Sequence, residues 1–166
     1  MADVTKSAAP TALEEWRGKL MSLDIGAPDA ARKLTLQLKD SLDCDRATFF
    51  RVDHEKGEVY SVAATVLEIA EIRVPMSRGV VGSVARTGRT LNLKDVYNDP
   101  RFDRSTDQRT GYRSKSMLTM AVREADGTVA GVLQALNKKD GLFARTDEAV
   151  MAQFCAKALN VIHAGT

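Results

Sequence analysis

Two histidines and two cysteines are all the imidazoles and thiols in this chain of 166 residues. His54 falls in a turn between two strand-like runs, and His163 falls in the last turn of a terminal helix. Neither the histidines nor the pair Cys44 and Cys155 has the spacing of a metal site or a disulfide framework. No Gly-x-Ser-x-Gly elbow, P-loop or dinucleotide fingerprint is present. The expectation is therefore two surface histidines, two small buried thiols, no metal and no catalytic constellation: not an enzyme. Binding chemistry is better represented. Gly79-Val80-Val81-Gly82 sets bare backbone amides at a helix start, where anions and phosphate above all are attracted. Asp107, Thr110, Arg113 and Ser114 sit in a polar segment able to close over a ligand. Gln134 interrupts an apolar strand, and a polar group there needs a partner, either a neighbour or a ligand. Each feature also has a plain structural explanation, a helix start or a solvated loop, and the residue types alone leave both open.

These residues need elements to hold them. The chain is 44% hydrophobic and 28% charged, close to soluble averages and long enough for one core. A net charge of +2 is too small for a nucleic-acid binder that works by counterion release. No apolar run reaches membrane-spanning length, and nothing at the start resembles a signal peptide, so a soluble cytoplasmic domain is expected. Residues 1–12 read as a flexible arm. Leu13, Trp16, Leu20 and Leu23 give a first helix, and Ala31, Leu34, Leu38 and Leu42 a second that stops near Asp43. Strand patterns cover residues 47–52, 59–66 and 71–74, a short helix runs from Gly79 to a stop at Gly88, and Leu91-Asn92-Leu93 is a short strand. Residues 95–115 lack apolar periodicity and read as a long loop. From Asp99 to Lys115 it carries five Lys or Arg against three Asp. Two strands flank Asp126-Gly127, the second apolar on both faces, with Val129 placed beside Leu133 and Ala135. A final helix starts near Thr146 as N-cap. The architecture implied is α+β: six strands, mainly antiparallel, with terminal helices on one face and the short helix and loop on the other.

The segment Gly79-Val80-Val81-Gly82-Ser83-Val84-Ala85-Arg86-Thr87-Gly88 resembles the glycine-bounded helix of GAF domains. The resemblance continues through Asp99-Pro100-Arg101-Phe102, Thr110-Gly111-Tyr112-Arg113-Ser114 and Gly131-Val132-Leu133-Gln134. Asn137, Lys138, Phe143, Asp147 and Glu148 are similar to the Asn-Lys-Phe-Asp-Glu signature of GAF domains in cyclic-nucleotide phosphodiesterases and cyclases. The resemblance implies a sensor domain over residues 29–163, with a stalk helix and turn over 13–28. It implies a pocket for cyclic GMP or cyclic AMP, a homodimer through terminal helices, and an attached effector controlled by loop closure. By position, the backbone at Val80 and Val81 would meet the cyclic phosphate. Asp107, Thr110 and Ser114 would line the lid, Gln134 would lie near the base, and Lys138 and Asp147 would form the signature's ion pair. Ala64-Thr65 stand where cyclic-GMP-binding relatives carry a Phe-Asp pair for the purine, and Asp103 replaces a lid aromatic. Two other uses of the fold remain: a ligand-free dimerisation module, and a thiol reductase, whose cysteine positions Cys44 and Cys155 do not match.

Overall fold

Helix α1 (Ala12–Met21) and helix α2 (Ala30–Leu42) open the computed structural model, which describes residues 12–65 and 71–165. The arm expected over residues 1–12 otherwise lies outside the described residues. In α2 the leucines Leu34, Leu38 and Leu42 recur every fourth residue and are fully buried, so one stripe faces the core. Asp43 ends it in the left-handed conformation at φ 49°, its N–H reaching back to the Lys39 and Asp40 carbonyls.

Six strands follow, interrupted by helices: β1 (Cys44–Asp53), β2 (Glu58–Ala64), β3 (Arg73–Pro75), β4 (Leu91–Leu93), β5 (Met117–Arg123) and β6 (Val129–Lys138). They form one sheet in the order β3-β2-β1-β6-β5-β4, and every neighbouring pair is antiparallel. Helix α3 (Gly79–Thr87) lies between β3 and β4, and helix α5 (Arg145–Ala164) closes the chain. Alternation along β1 divides the core. Phe49 points to the α2 and α5 side with Leu133, Ala135, Met151 and Phe154, while Phe50 packs with Val81, Val84, Ala121 and Val132 under α3. Burying each large side chain contributes about 1.5–3 kcal/mol, so two populated faces are needed to hold so thin a sheet.

Three expectations are corrected. The sequence pattern put Val129 beside Leu133 and Ala135, but the pairing of β5 with β6 slips between Val122 and Arg123. That bulge returns Val129 to the α3 side, in the cluster with Val132. Helix α5 begins at Arg145 with Ala144 at the cap, not Thr146. The Asp147 carboxylate performs the capping, accepting the Ala144 N–H at 2.8 Å. Residues 95–115 are not an unstructured loop. They hold a 3-10 turn (Val96–Asn98) and helix α4 (Ser105–Thr110), too short to show helical periodicity.

The first helix packs back on the domain. Trp16 stacks on Phe154 of α5 at 5.7 Å between centroids, and Leu20 and Leu23 join the main core. No helix among the described residues is long and apolar enough to cross a membrane.

Candidate functional site

On the α3 side a cavity of about 450 Å³ opens between the sheet, the start of α3 and the segment 95–115, which forms its lid. The N-terminus of α3 borders it through Gly79, Val80 and Val81. What seats α3 so close is Gly82: a Cβ there would lie 2.7 Å from the Met76 carbonyl oxygen. Arg78 is the extended N-cap and Gly88 ends the helix at φ 70°, its N–H bonded to the Val84 carbonyl at 2.8 Å. The first amides of α3 therefore lie at the cavity's border without intrahelical partners.

The sheet supplies the floor. Thr48 on β1 lies directly opposite Gln134 on β6, and both line the cavity. The Gln134 Nε2 donates to Thr119 Oγ1 at 3.2 Å and lies 3.3 Å from Met117 Sδ. That leaves the carbonyl end of the amide as its acceptor. Ala64 and Thr65 line the same space, and Thr65 Oγ1 accepts the Ala47 N–H at 3.1 Å.

The lid is held mainly by Asp107. Its carboxylate accepts three hydrogen bonds, from Tyr97 Oη at 2.7 Å, Ser114 N at 2.7 Å and Ser114 Oγ at 3.0 Å. The bond to Asp107 also pushes the Tyr97 phenol above its ordinary pKa. Asn137 fixes the far end of the lid. From a left-handed backbone at φ 57°, its Oδ1 accepts the Lys115 and Ser116 amides at 2.6 and 3.2 Å. Its Nδ2 donates to Tyr112 Oη at 2.8 Å and to the Arg113 carbonyl at 2.9 Å. Lys138 next to it bonds Asp147 at 3.1 Å and the Leu42 carbonyl, joining β6, α5 and α2. Phe143 is buried, its carbonyl accepting from Asn92 at 2.9 Å, and the Glu148 amide donates to the Ala144 carbonyl. Asn137, Lys138, Phe143, Asp147 and Glu148 thus belong to the frame and the lid's anchorage, outside the cavity.

Of the expected site residues, Val80, Val81, Asp107, Thr110, Ser114 and Gln134 line the cavity. Arg113 does not: its guanidinium lies over the Tyr97 ring at 4.7 Å. Among the lining residues that escaped sequence reasoning are Thr48 and four arginines, Arg46, Arg73, Arg78 and Arg109. These four arginines outnumber Asp103 and Asp107 in the lining, but Arg73 is already paired with Glu58 at 2.7 Å and Glu71 at 2.8 Å. Arg46 stacks on the lid's Tyr112 at 3.6 Å, whose phenol is pushed up to about 12 by burial and by Asp45. Strand parity was a usable signal for Arg46 and Thr48, polar positions alternating with buried Ala47 and Phe49 in a central strand. Arg73, Arg78 and Arg109 sit in a three-residue strand, at a helix cap and in a six-residue helix, where no periodicity marks them.

The thiols lie elsewhere. Cys44 and Cys155 are buried in the α2–α5 core, and burial pushes them up to about 11 and about 12. The histidines are not simply solvated. His54 Nε2 is 2.8 Å from the Val129 carbonyl, and His163 meets the Glu124 carboxylate at 2.9 Å.

Known proteins resemble the chain in sequence and in fold. A probable 3',5'-cyclic phosphodiesterase of Caenorhabditis elegans is 35% identical over 156 residues, covering 82% of this chain and 21% of the relative. The dual 3',5'-cyclic-AMP and -GMP phosphodiesterase 11A of Takifugu rubripes is 33% identical over 158 residues, covering 86% and 18%. The chain thus spans about a fifth of the length of these relatives. In fold it matches the GAF domain of an Acinetobacter phosphoenolpyruvate-protein phosphotransferase, with a TM-score of 0.76 at 20% identity, over 95% of this chain and 97% of that one. The GAF domain family model matches residues 27–162. Sheet order, lidded cavity and sequence match agree, and the chain belongs to the GAF domain family, whose members are regulatory sensor domains.

Proposed function

We propose that this domain senses a purine 3',5'-cyclic nucleotide and passes its occupancy to an effector. The observation that carries the reading is the composition of the lidded cavity. It has the start of α3 with Arg78 and the lid's Arg109 nearby, and the uncharged Thr48, Thr65 and Gln134 on or beside the sheet, where Arg46 and Arg73 also lie. A singly charged phosphate matches the amides and guanidinium groups. The hydroxyls and the Gln134 carbonyl suit the amino and ring nitrogens of a purine. A volume of about 450 Å³ lies within the range of small-ligand sites. Relatives named as cyclic phosphodiesterases support the same ligand class. Val80 and Val81 would meet the phosphate, while Thr110 and Ser114 close the lid over the ligand and Asp107 positions it. Arg113 acts indirectly, through Tyr97. The sensing domain is taken as residues 29–163, and residues 13–28, packed on it through Trp16, Leu20 and Leu23, as the segment that would extend a dimer interface rather than a free stalk. Met21 and Leu36 expose apolar surface on the helical layer, which supports a homodimer through the helices.

Calorimetric titration with cyclic AMP and cyclic GMP tests the reading. Saturable binding is expected, weakened about tenfold by Gln134→Ala, the loss of roughly one good hydrogen bond. No heat and no thermal shift with either nucleotide would sink the proposal and leave a ligand-free dimerisation module.

A further inference from the structure

One acidic residue of the lid meets one basic residue of the body beside the cavity. Asp103, on the lid, places Oδ2 3.8 Å from Nε of Arg78, the residue that precedes α3. Both side chains line the cavity, and both retain solvent contact, 68% of the arginine and 31% of the aspartate remaining exposed. The stem of Asp103 abuts the helix start: a Cβ on Gly79 would lie 3.9 Å from the Asp103 Cβ. The other oxygen of the carboxylate, Oδ1, accepts the Ser105 N–H at 2.9 Å, so its position is fixed from within the lid. Hydrogen bonds from Ser105, then Arg78 and Arg109, hold Asp103 below the usual carboxylate range, which keeps it charged at neutral pH.

An anionic ligand entering this cavity needs the same surroundings that Asp103 now uses. We infer that Asp103 is a built-in competitor for the ligand's anionic group, and that its carboxylate occupies Arg78 in the empty domain and must yield it on binding. This rests on the reading that a phosphate-bearing ligand enters the cavity. A ligand phosphate placed near the α3 amides gains Arg78 and Arg109 but stands beside a fixed negative charge. The carboxylate thus lowers affinity and sets the ligand concentration at which the sensor responds. A partly exposed pair at 3.8 Å is weak and screened by salt, which lets it exchange rather than lock. It also makes the exchange directional. When the phosphate takes Arg78, the ligand replaces this ion pair between lid and body, while Asp107 and Asn137 keep their hold on the rest of the lid.

The test is Asp103→Asn, which keeps an oxygen for the Ser105 amide and removes the charge. Cyclic AMP and cyclic GMP should bind the variant about 2- to 5-fold more tightly than the unaltered domain at low salt, with the gain shrinking at high salt. The uncharged nucleosides adenosine and guanosine should bind both equally. Unchanged or weaker cyclic-nucleotide binding in Asp103→Asn would overturn the inference while leaving the ligand reading intact. If no nucleotide binds either protein, the ligand reading fails. Inorganic phosphate, followed by the NMR shifts of the Gly79 and Val80 amides, then decides the competitor role alone. Tighter phosphate binding in the variant upholds it, and equal or weaker binding overturns it.

Discussion

Asn137 concentrates four hydrogen bonds on one side chain, and each ties the lid or its base to the end of β6. It also accepts a left-handed backbone, which asparagine tolerates better than alanine. Asn137→Ala should therefore cost about 2–4 kcal/mol in urea denaturation, the sum of lost bonds and backbone strain. Asn137→Gly relieves the strain but not the lost bonds, so it should recover about 1 kcal/mol of that. Equal losses would show that strain plays no part. The thiols offer a second prediction. Cys44 and Cys155 are buried and raised to about 11 and about 12, so neither should react with a thiol reagent at pH 8 in the folded protein. Both should react in denaturant. At this scale the sequence was legible where a residue type stands out against its surroundings, as Gln134 does in an apolar strand. It was mute where the partner is distant in the chain. Nothing near Asn137 announces that it reaches Tyr112, Arg113, Lys115 and Ser116, and nothing near Arg46 announces Tyr112.

Elements that carry a strong period were readable to within a residue or two: α2, α3 and the hairpin of β5 and β6. The lid was not, because α4 has six residues and its amphipathic pattern never completes a second turn. Its conformation comes from Asp107, whose partners lie ten residues before it and seven after. The bulge in the β5–β6 pairing was likewise invisible, since alternation alone cannot say where a strand slips. Lys138 joins three elements, and Lys138→Met should cost about 1–3 kcal/mol by orphaning Asp147 and the Leu42 carbonyl. Because Asp147 would still cap α5 through Ala144, helicity should persist while the urea midpoint falls. A loss of helical signal in the folded variant would contradict this division of labour. Gly131→Ala should be worse than an ordinary glycine replacement in a strand. Its Cβ would lie 2.6 Å from the Phe50 carbonyl and 3.2 Å from Ile162, wedging β6 from β1 and from α5. A shift of the midpoint smaller than that of Gly57→Ala, at an open turn, would refute the clash.

For the whole molecule, the raised acids all act in one direction. Each buried thiol holds its proton more tightly folded than unfolded. Their stabilising effect is whole below pH 9, the unfolded value, and is lost as pH rises toward about 11 and 12. Folding free energy should fall there by about 1.4 kcal/mol per pH unit for each thiol that titrates. A flat stability profile from pH 9 to about 11 would show that the thiols are not buried as described. The two faces of the sheet are occupied differently: the cavity and lid on one, and the α1, α2 and α5 layer on the other. That separation gives the protein two optical channels. The single tryptophan of the chain, Trp16, stacks on Phe154 of α5, whereas two of the three tyrosines, Tyr97 and Tyr112, belong to the lid. Emission excited selectively at tryptophan reports on the helical layer, and tyrosine absorbance reports largely on the lid. One unlabelled sample titrated with ligand can therefore reveal whether lid closure and helix rearrangement occur together or in sequence.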